Sequence, residues 1–296
     1  MGTKEHKMSH RTFGLVLVAT SACGTVSTNY DADPVDARHA DATIEADALP
    51  AVDSSPADAD NIDSTVADAA DLTAMVAVPA GVFWMGCNVT SDPCADPNEL
   101  PIHEVTLGDF LIDATEVTEA AYGECAAASV CAIPLISDGP ENPVRGVTWA
   151  QAQTYCEWRG KRLPTEAEWE KAARGTDARR YPWDSGAISC DFANYTSCQS
   201  PVDHAVAVGQ YPDGVSPYGA YDMAGNAAEW VHDWYSATYY EESPDADPKG
   251  PVTGTERVVR GGSATSSSPY LRTAARTSRE PGVASNDVGF RCAKDD

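Results

Sequence analysis

Cysteine, histidine and serine are the residue types that could carry covalent or metal chemistry here, and their spacing decides which chemistry is open. Eight of the nine cysteines in the 296-residue chain lie beyond Cys23, at 87, 94, 125, 131, 156, 190, 198 and 292. Thiolates can hold a soft metal or pair as disulfides. No Cys-x-x-Cys is present, so a zinc–thiolate cluster is not indicated. An even count behind an export signal (described below) points to disulfides. Cys87/Cys94, Cys125/Cys131 and Cys190/Cys198 would each close a short loop. That leaves Cys156 with Cys292, a long staple of the kind that gains most in the chain-entropy account. His103, His204 and His232 lie far apart, and none forms a His-x-x-x-His pair, so they read as loop or surface residues. No Gly-x-Ser-x-Gly elbow presents a serine nucleophile, which would also need a base and an oxyanion hole. Arg145, Arg162 and Arg260 read as internal partners for the many acids. Arg260-Gly261-Gly262-Ser263 opens onto a loop, so it does not read as a phosphate cradle.

The elements that must position these residues begin after a long preamble. Lys4, Lys7 and Arg11 precede a mostly apolar or small run, Thr12 to Ala22, and then Cys23. This has the shape of a signal peptide and is too short to span a bilayer. Thr20-Ser21-Ala22-Cys23 resembles a lipobox, with Thr20 where Leu is usual, so Cys23 is expected to carry lipid. Residues 24–74 hold eleven Asp, Glu45 and a single base, Arg38. Their scattered apolar residues follow no period, and such a segment cannot offset the entropy of ordering. It reads as an acidic tether. The chain's formal net charge of −25 excludes a general nucleic-acid binder, which needs a basic surface. From residue 75 the pattern changes. Val76 to Gly86 reads as strand, turn, strand, and Glu104 to Ile112 as one further strand. Thr118 caps a short helix through Ala128. Thr148 with Gln151 forms a capping box for a helix from Trp149 to about Arg159, stopped by Gly160. Thr165 with Glu168 opens another that ends near Gly175. Beyond it the chain is rich in Gly, Pro, Asn and Tyr, and short strands with long loops are expected.

Several of these segments resemble the formylglycine-generating enzyme (sulfatase-modifying factor) family. They are Val78-Pro79-Ala80-Gly81-Val82-Phe83-Trp84-Met85-Gly86, Asn142 to Trp149, Gly160 to Glu170, Tyr218 to Trp230, Arg260-Gly261-Gly262-Ser263 and Gly289-Phe290-Arg291-Cys292, in the family's order. The resemblance covers about residues 76–294. It implies one α+β domain of low regular content, related to the C-type-lectin-like fold, over 75–296. It supports the Cys156–Cys292 disulfide, which catalytic members have. Catalytic members oxidise a substrate cysteine with oxygen and a copper(I) held by two thiolates, because soft copper(I) takes soft ligands. The corresponding interval here, Ala264 to Thr273, contains no cysteine, and no copper is expected. The resemblance also implies a structural calcium at Asp222, Gly225, Ala227 and Glu229, two side-chain oxygens and two backbone carbonyls. A second calcium position would start at Asn194 with the Tyr195 carbonyl, and Asp203 could complete it. Ser263 lies near substrate in catalytic members, and Arg276 could line the same cleft. The family's iron-linked enzymes of sulfoxide synthesis place a three-histidine site largely on an added helical domain, which residues 24–74 cannot supply.

The sequence therefore points to an exported bacterial lipoprotein, anchored to the membrane through Cys23 and placed in the cell envelope, on the outer membrane, with plain secretion as the alternative. Its domain would bind a peptide, protein or glycan without copper chemistry. The competing expectation is a metal-dependent oxidase with a divergent site.

Overall fold

Residue types and caps set the local structure. In the computed structural model, residues 73–89, 94–183, 186–198 and 204–296 are described. Cys23, nearly all of the acidic tether and Asp203 lie outside them. The described residues fall within one compact unit, 64–296. In chain order the elements are β1 (Met75–Val78), β2 (Gly81–Met85), β3 (His103–Leu107), β4 (Phe110–Asp113), α1 (Glu119–Ala127), α2 (Trp149–Trp158), α3 (Glu166–Arg174), β5 (Ala228–Trp234), β6 (Arg257–Arg260), β7 (Thr277–Arg279), β8 (Val288–Phe290) and β9 (Ala293–Asp295). This is a mixed α+β fold with short elements and long loops.

The helices start at their predicted caps. Thr118, Thr148 and Thr165 each accept a bond from the backbone N–H three residues on, and the last two form full capping boxes. The expected single strand over Glu104–Ile112 is corrected. It breaks at Gly108-Asp109, where Gly108 N–H donates to Asp247 Oδ1 (3.2 Å). Its halves enter different sheets: β3 pairs with β2, while β4 lies between β1 and β9. A third sheet has the order β7-β6-β5-β8, with β8 parallel to β5.

One apolar core gathers Val78, Phe83, Val105, Phe110, Ile112 and Trp169. A second gathers Tyr122, Tyr155, Leu163, Trp230 and Phe290 around α2 and the third sheet. Helix α3 is buried although its sequence, Glu-Ala-Glu-Trp-Glu-Lys-Ala-Ala-Arg, is mostly charged. Each charge has an internal partner. Glu170 takes Arg260 at 2.6 Å and Arg174 at 2.5 Å, and accepts Gly86 N–H at 2.7 Å. Lys171 donates to the Pro79 and Gly81 carbonyls, and Arg174 to those of Trp84 and Gly86. A buried charge is tolerable only when paired in this way, so α3 fixes the β2 backbone by polar bonds.

Four disulfides join Cys87–Cys94, Cys125–Cys131, Cys156–Cys292 and Cys190–Cys198. The third spans 136 residues and ties α2 to the segment between β8 and β9.

Candidate functional site

Ser263 emerges where β6 leaves its sheet. Gly262 turns the chain at φ 69°, and a Cβ there would lie 2.9 Å from the Tyr270 carbonyl, so the turn requires glycine. The following loop is held by its own hydroxyls. Ser263 N–H donates to Ser266 Oγ (2.9 Å), and Ser263 Oγ lies 3.1 Å from Thr265 Oγ1 and 3.2 Å from Ser266 Oγ.

A cavity of about 190 Å³ opens beside this loop, with Asp138, Arg145, His204, Asn226, Ser263, Thr265 and Asn286 among its walls. Arg145 pairs with Asp138 and donates to the Asn286 carbonyl at 2.6 Å. Burial lowers its pKa, and the nearby acids Glu119, Asp287 and Glu116 act against that. Ser263 is 1% exposed, and its hydroxyl contacts are other hydroxyls and a backbone N–H. Among the described residues no base hydrogen-bonds to it, so no activated serine is assembled. The walls offer hydroxyl, amide and guanidinium groups, a set suited to holding a polar ligand. No thiol faces this cleft, because every cysteine from Cys87 to Cys292 is in a disulfide.

Arg276 is corrected. It is not on the cleft: it is buried, gripping Glu166 at 2.6 and 2.8 Å and the Asn98 carbonyl at 2.8 Å, with its guanidinium 4.0 Å from the Tyr240 ring centre. Arg162 and Arg260 are internal partners, of Glu168 and of Glu166 with Glu170. Arg145 is both an internal partner and a cleft wall. The histidines do not converge: His204 lines the cleft, His103 packs against Tyr240 with the rings tilted, and His232 is exposed on β5.

Behind the cleft lies an acidic cluster. The loop from Asp222 to Ala227 takes positive φ at Asp222, Gly225 and Asn226. A Cβ on Gly225 would sit 2.3 Å from the Asn194 carbonyl, so the two sequence-derived calcium loops touch. Asn226 N–H donates to that same carbonyl at 2.9 Å. Tyr195 is buried beside them. Glu229 is held by Arg291 through two 2.8 Å bonds and by the Trp169 indole N–H at 2.7 Å. Asp222 accepts Gly209 N–H at 2.7 Å. The carboxyl within hydrogen-bond reach of Asp222 belongs to Glu116, which the sequence reading did not single out. Glu116 Oε1 accepts Asn226 Nδ2 and Ala227 N–H, while no donor reaches its buried Oε2. Burial and then the charge of Asp222 push its pKa well above the ordinary carboxylate value; burial raises Asp222 as well.

Three ionised carboxylates against the single Arg291 would leave uncompensated negative charge in a dry interior, and oxygen donors with an orphaned Oε2 fit a divalent cation. The three carboxylates do not all come within 4.8 Å of one another, so an ion would take Glu116 and Asp222 together with backbone carbonyls. Glu229 belongs first to Arg291.

The family model described as "Sulfatase-modifying factor enzyme 1-like domain" matches residues 63–296. The chain belongs to this family. A formylglycine-generating enzyme of Streptomyces coelicolor is 36% identical over 282 residues, covering 74% of this chain and 88% of the relative. Among solved structures, PvdO from Pseudomonas aeruginosa is similar with a TM-score of 0.65 and 28% identity, over 75% of this chain and 94% of that one. Treponema denticola variable protein 1 follows at 0.61 and 26%, over 75% and 95%. Within this sulfatase-modifying-factor domain, one signal could have found Glu116: an acid between Ile112 and Val117, both buried, stands in a stretch that otherwise reads as core.

Proposed function

We propose that the chain is an exported lipoprotein whose sulfatase-modifying-factor domain binds a ligand in the cleft beside Ser263 and does not carry out copper-dependent formylglycine formation. The observation that supports this reading is the state of the cysteines. The interval from Ala264 to Thr273 has none, and all eight of the domain are engaged as disulfides. Soft copper(I) needs soft donors, and the serine and threonine hydroxyls that replace them are hard. The cleft's hydroxyl, amide and guanidinium walls favour a peptide, protein or glycan with polar groups to match. Lipid on Cys23 would hold the domain at the membrane surface, and residues 24–74 would set its reach.

A structural calcium belongs to the same proposal. Glu116 and Asp222, with the carbonyls of Gly225 and Ala227, would hold it, and Arg291 would keep Glu229 oriented beside it. The ion would supply charge compensation, without a part in any reaction. Asn194 and Tyr195 would support the loop from the side.

The rival is an oxidase of divergent site, favoured by the 36% identity to a relative named formylglycine-generating enzyme. Metal analysis of the purified full chain, with oxygen uptake on a cysteine peptide, separates them. Calcium with no oxygen uptake is the expected result; stoichiometric copper or iron with uptake would overturn the binding reading.

A further inference from the structure

Strand alternation puts Phe83 and Met85 of β2 inside, at 1% and 2% exposure, and Val82 and Trp84 outside, at 48% and 42%. Across the ribbon, Val82 faces Thr106 and Trp84 faces Glu104. These four residues and Asp245 line a cavity of about 470 Å³, and none of them borders the cleft beside Ser263. The surface is built on fixed backbone. Arg174 donates to the Trp84 carbonyl at 3.0 Å from beneath. Asp245 is held at the edge, because Thr106 N–H donates to its carbonyl at 2.7 Å and Asp247 N–H donates to that of Thr106 at 3.0 Å. Glu104 and Asp245, both exposed, are the charged residues of this cavity and carry one sign; the exposed Lys249 lines a different cavity, with Asp109 and Asp247. Among the described residues, no ion pair engages Glu104 or Asp245.

We infer that this outer face of the β2–β3 ribbon docks a lysine- or arginine-bearing segment of a partner protein. The face of an indole attracts an ammonium or guanidinium group, and adjacent carboxylates reinforce it by charge-assisted hydrogen bonds. Charge complementarity selects this occupant. A neutral saccharide would use the indole but leave the surrounding carboxylates without a counter-charge, and a second copy of this acidic chain would meet like charge. Tryptophan is also among the residue types enriched at the energetic centre of protein interfaces.

The test uses the full chain and a tetralysine amide as probe. Calorimetry gives the affinity at low and at physiological salt, and nuclear magnetic resonance follows the Trp84 indole N–H. Saturable shifts at Trp84 are expected. Trp84→Ala should weaken binding about fivefold, and Glu104→Gln with Asp245→Asn should weaken it and flatten its salt dependence. Any attraction to the acidic residues of 24–74 is common to all variants and cancels in the comparison. Equal affinity in wild type and Trp84→Ala would overturn the inference. So would a Trp84 indole that shifts with maltotriose and not with tetralysine, which would make the face a saccharide surface. Both variants alter exposed side chains, and matching thermal unfolding confirms that each is folded.

Discussion

Replacing Glu116 by Gln tests the acidic cluster directly. In the chelated protein, burial and the charge of Asp222 raise the Glu116 pKa, with Arg291 acting the other way. The folded state therefore holds this proton more tightly than the unfolded chain does. Stability from this group is fully present below the unfolded carboxylate value, about 4.3, and falls as pH rises toward the raised folded value. Each tenfold difference in proton affinity is about 1.4 kcal/mol. Asp222 shifts in the same direction and adds to the trend. Glutamine keeps the shape and the acceptor for Asn226 and Ala227 but cannot ionise, so the chelated variant should show a flatter decline in Tm above pH 5. Calcium should reverse the picture by favouring the ionised pair. At a hundredfold excess over Kd it adds about 2.7 kcal/mol, or roughly 5–10 °C in a domain of this size. Glu116→Gln should weaken calcium at least about tenfold, a loss of about 1.4 kcal/mol. The assay is thermal unfolding of both proteins from pH 5 to 8, with chelator and with calcium. If chelation leaves the wild-type Tm unchanged, or if Glu116→Gln keeps the full calcium increment, the assignment is wrong.

Three other outcomes are expected. Removing the Cys156–Cys292 bridge by a double alanine substitution should cost about 5 kcal/mol, because its 136-residue span gives the largest loop-closure term; an unfolding midpoint moved by only a degree or two would contradict this. Arg260→Met should destabilise by about 2–3 kcal/mol, since it removes one of two cationic partners from each of Glu170 and Glu166, which keep Arg174 and Arg276. Burial would raise the Glu170 pKa, but Arg260 and Arg174 outweigh it and hold it below the ordinary value, so its contribution is present above the unfolded pKa and is lost as pH falls through the depressed one. The variant should therefore acid-denature at higher pH, and an unchanged midpoint counts against the pairing. Mass spectrometry of the mature N-terminus should find acylated Cys23; an unmodified residue would remove the anchor.

Local chemistry explains which parts were legible in the sequence. Thr118, Thr148 and Thr165 cap helices through bonds to the residue three positions on, so their signals are complete within four residues. The family motifs placed the domain, and cysteine spacing left Cys156 with Cys292, a pairing the resemblance supported. The strand over 104–112 was misread because Gly108 and Asp109 continue a tolerable alternation while a bond from Gly108 to Asp247, 139 residues away, fixes the break. Arg276 was expected on the cleft with Ser263, but its partner Glu166 lies 110 positions away and draws it into the core. Glu116 was missed for the same reason, since Asp222 and Asn226 reach it only in the folded chain.

The sequence by itself determined the family, the helix starts, the lack of any cysteine between Ala264 and Thr273 and the concentration of acid in residues 24–74. These follow from residue identity and near spacing, which need no folding to read. Only the tertiary structure decided which acid meets which base. Glu229 went to Arg291, Glu166 to Arg276, and Glu116 was left against Asp222 with an oxygen that no donor reaches. An unpaired charge in a dry interior is costly, so the fold matches acids and bases across long sequence separations, and the place where that matching falls short marks the candidate ion site.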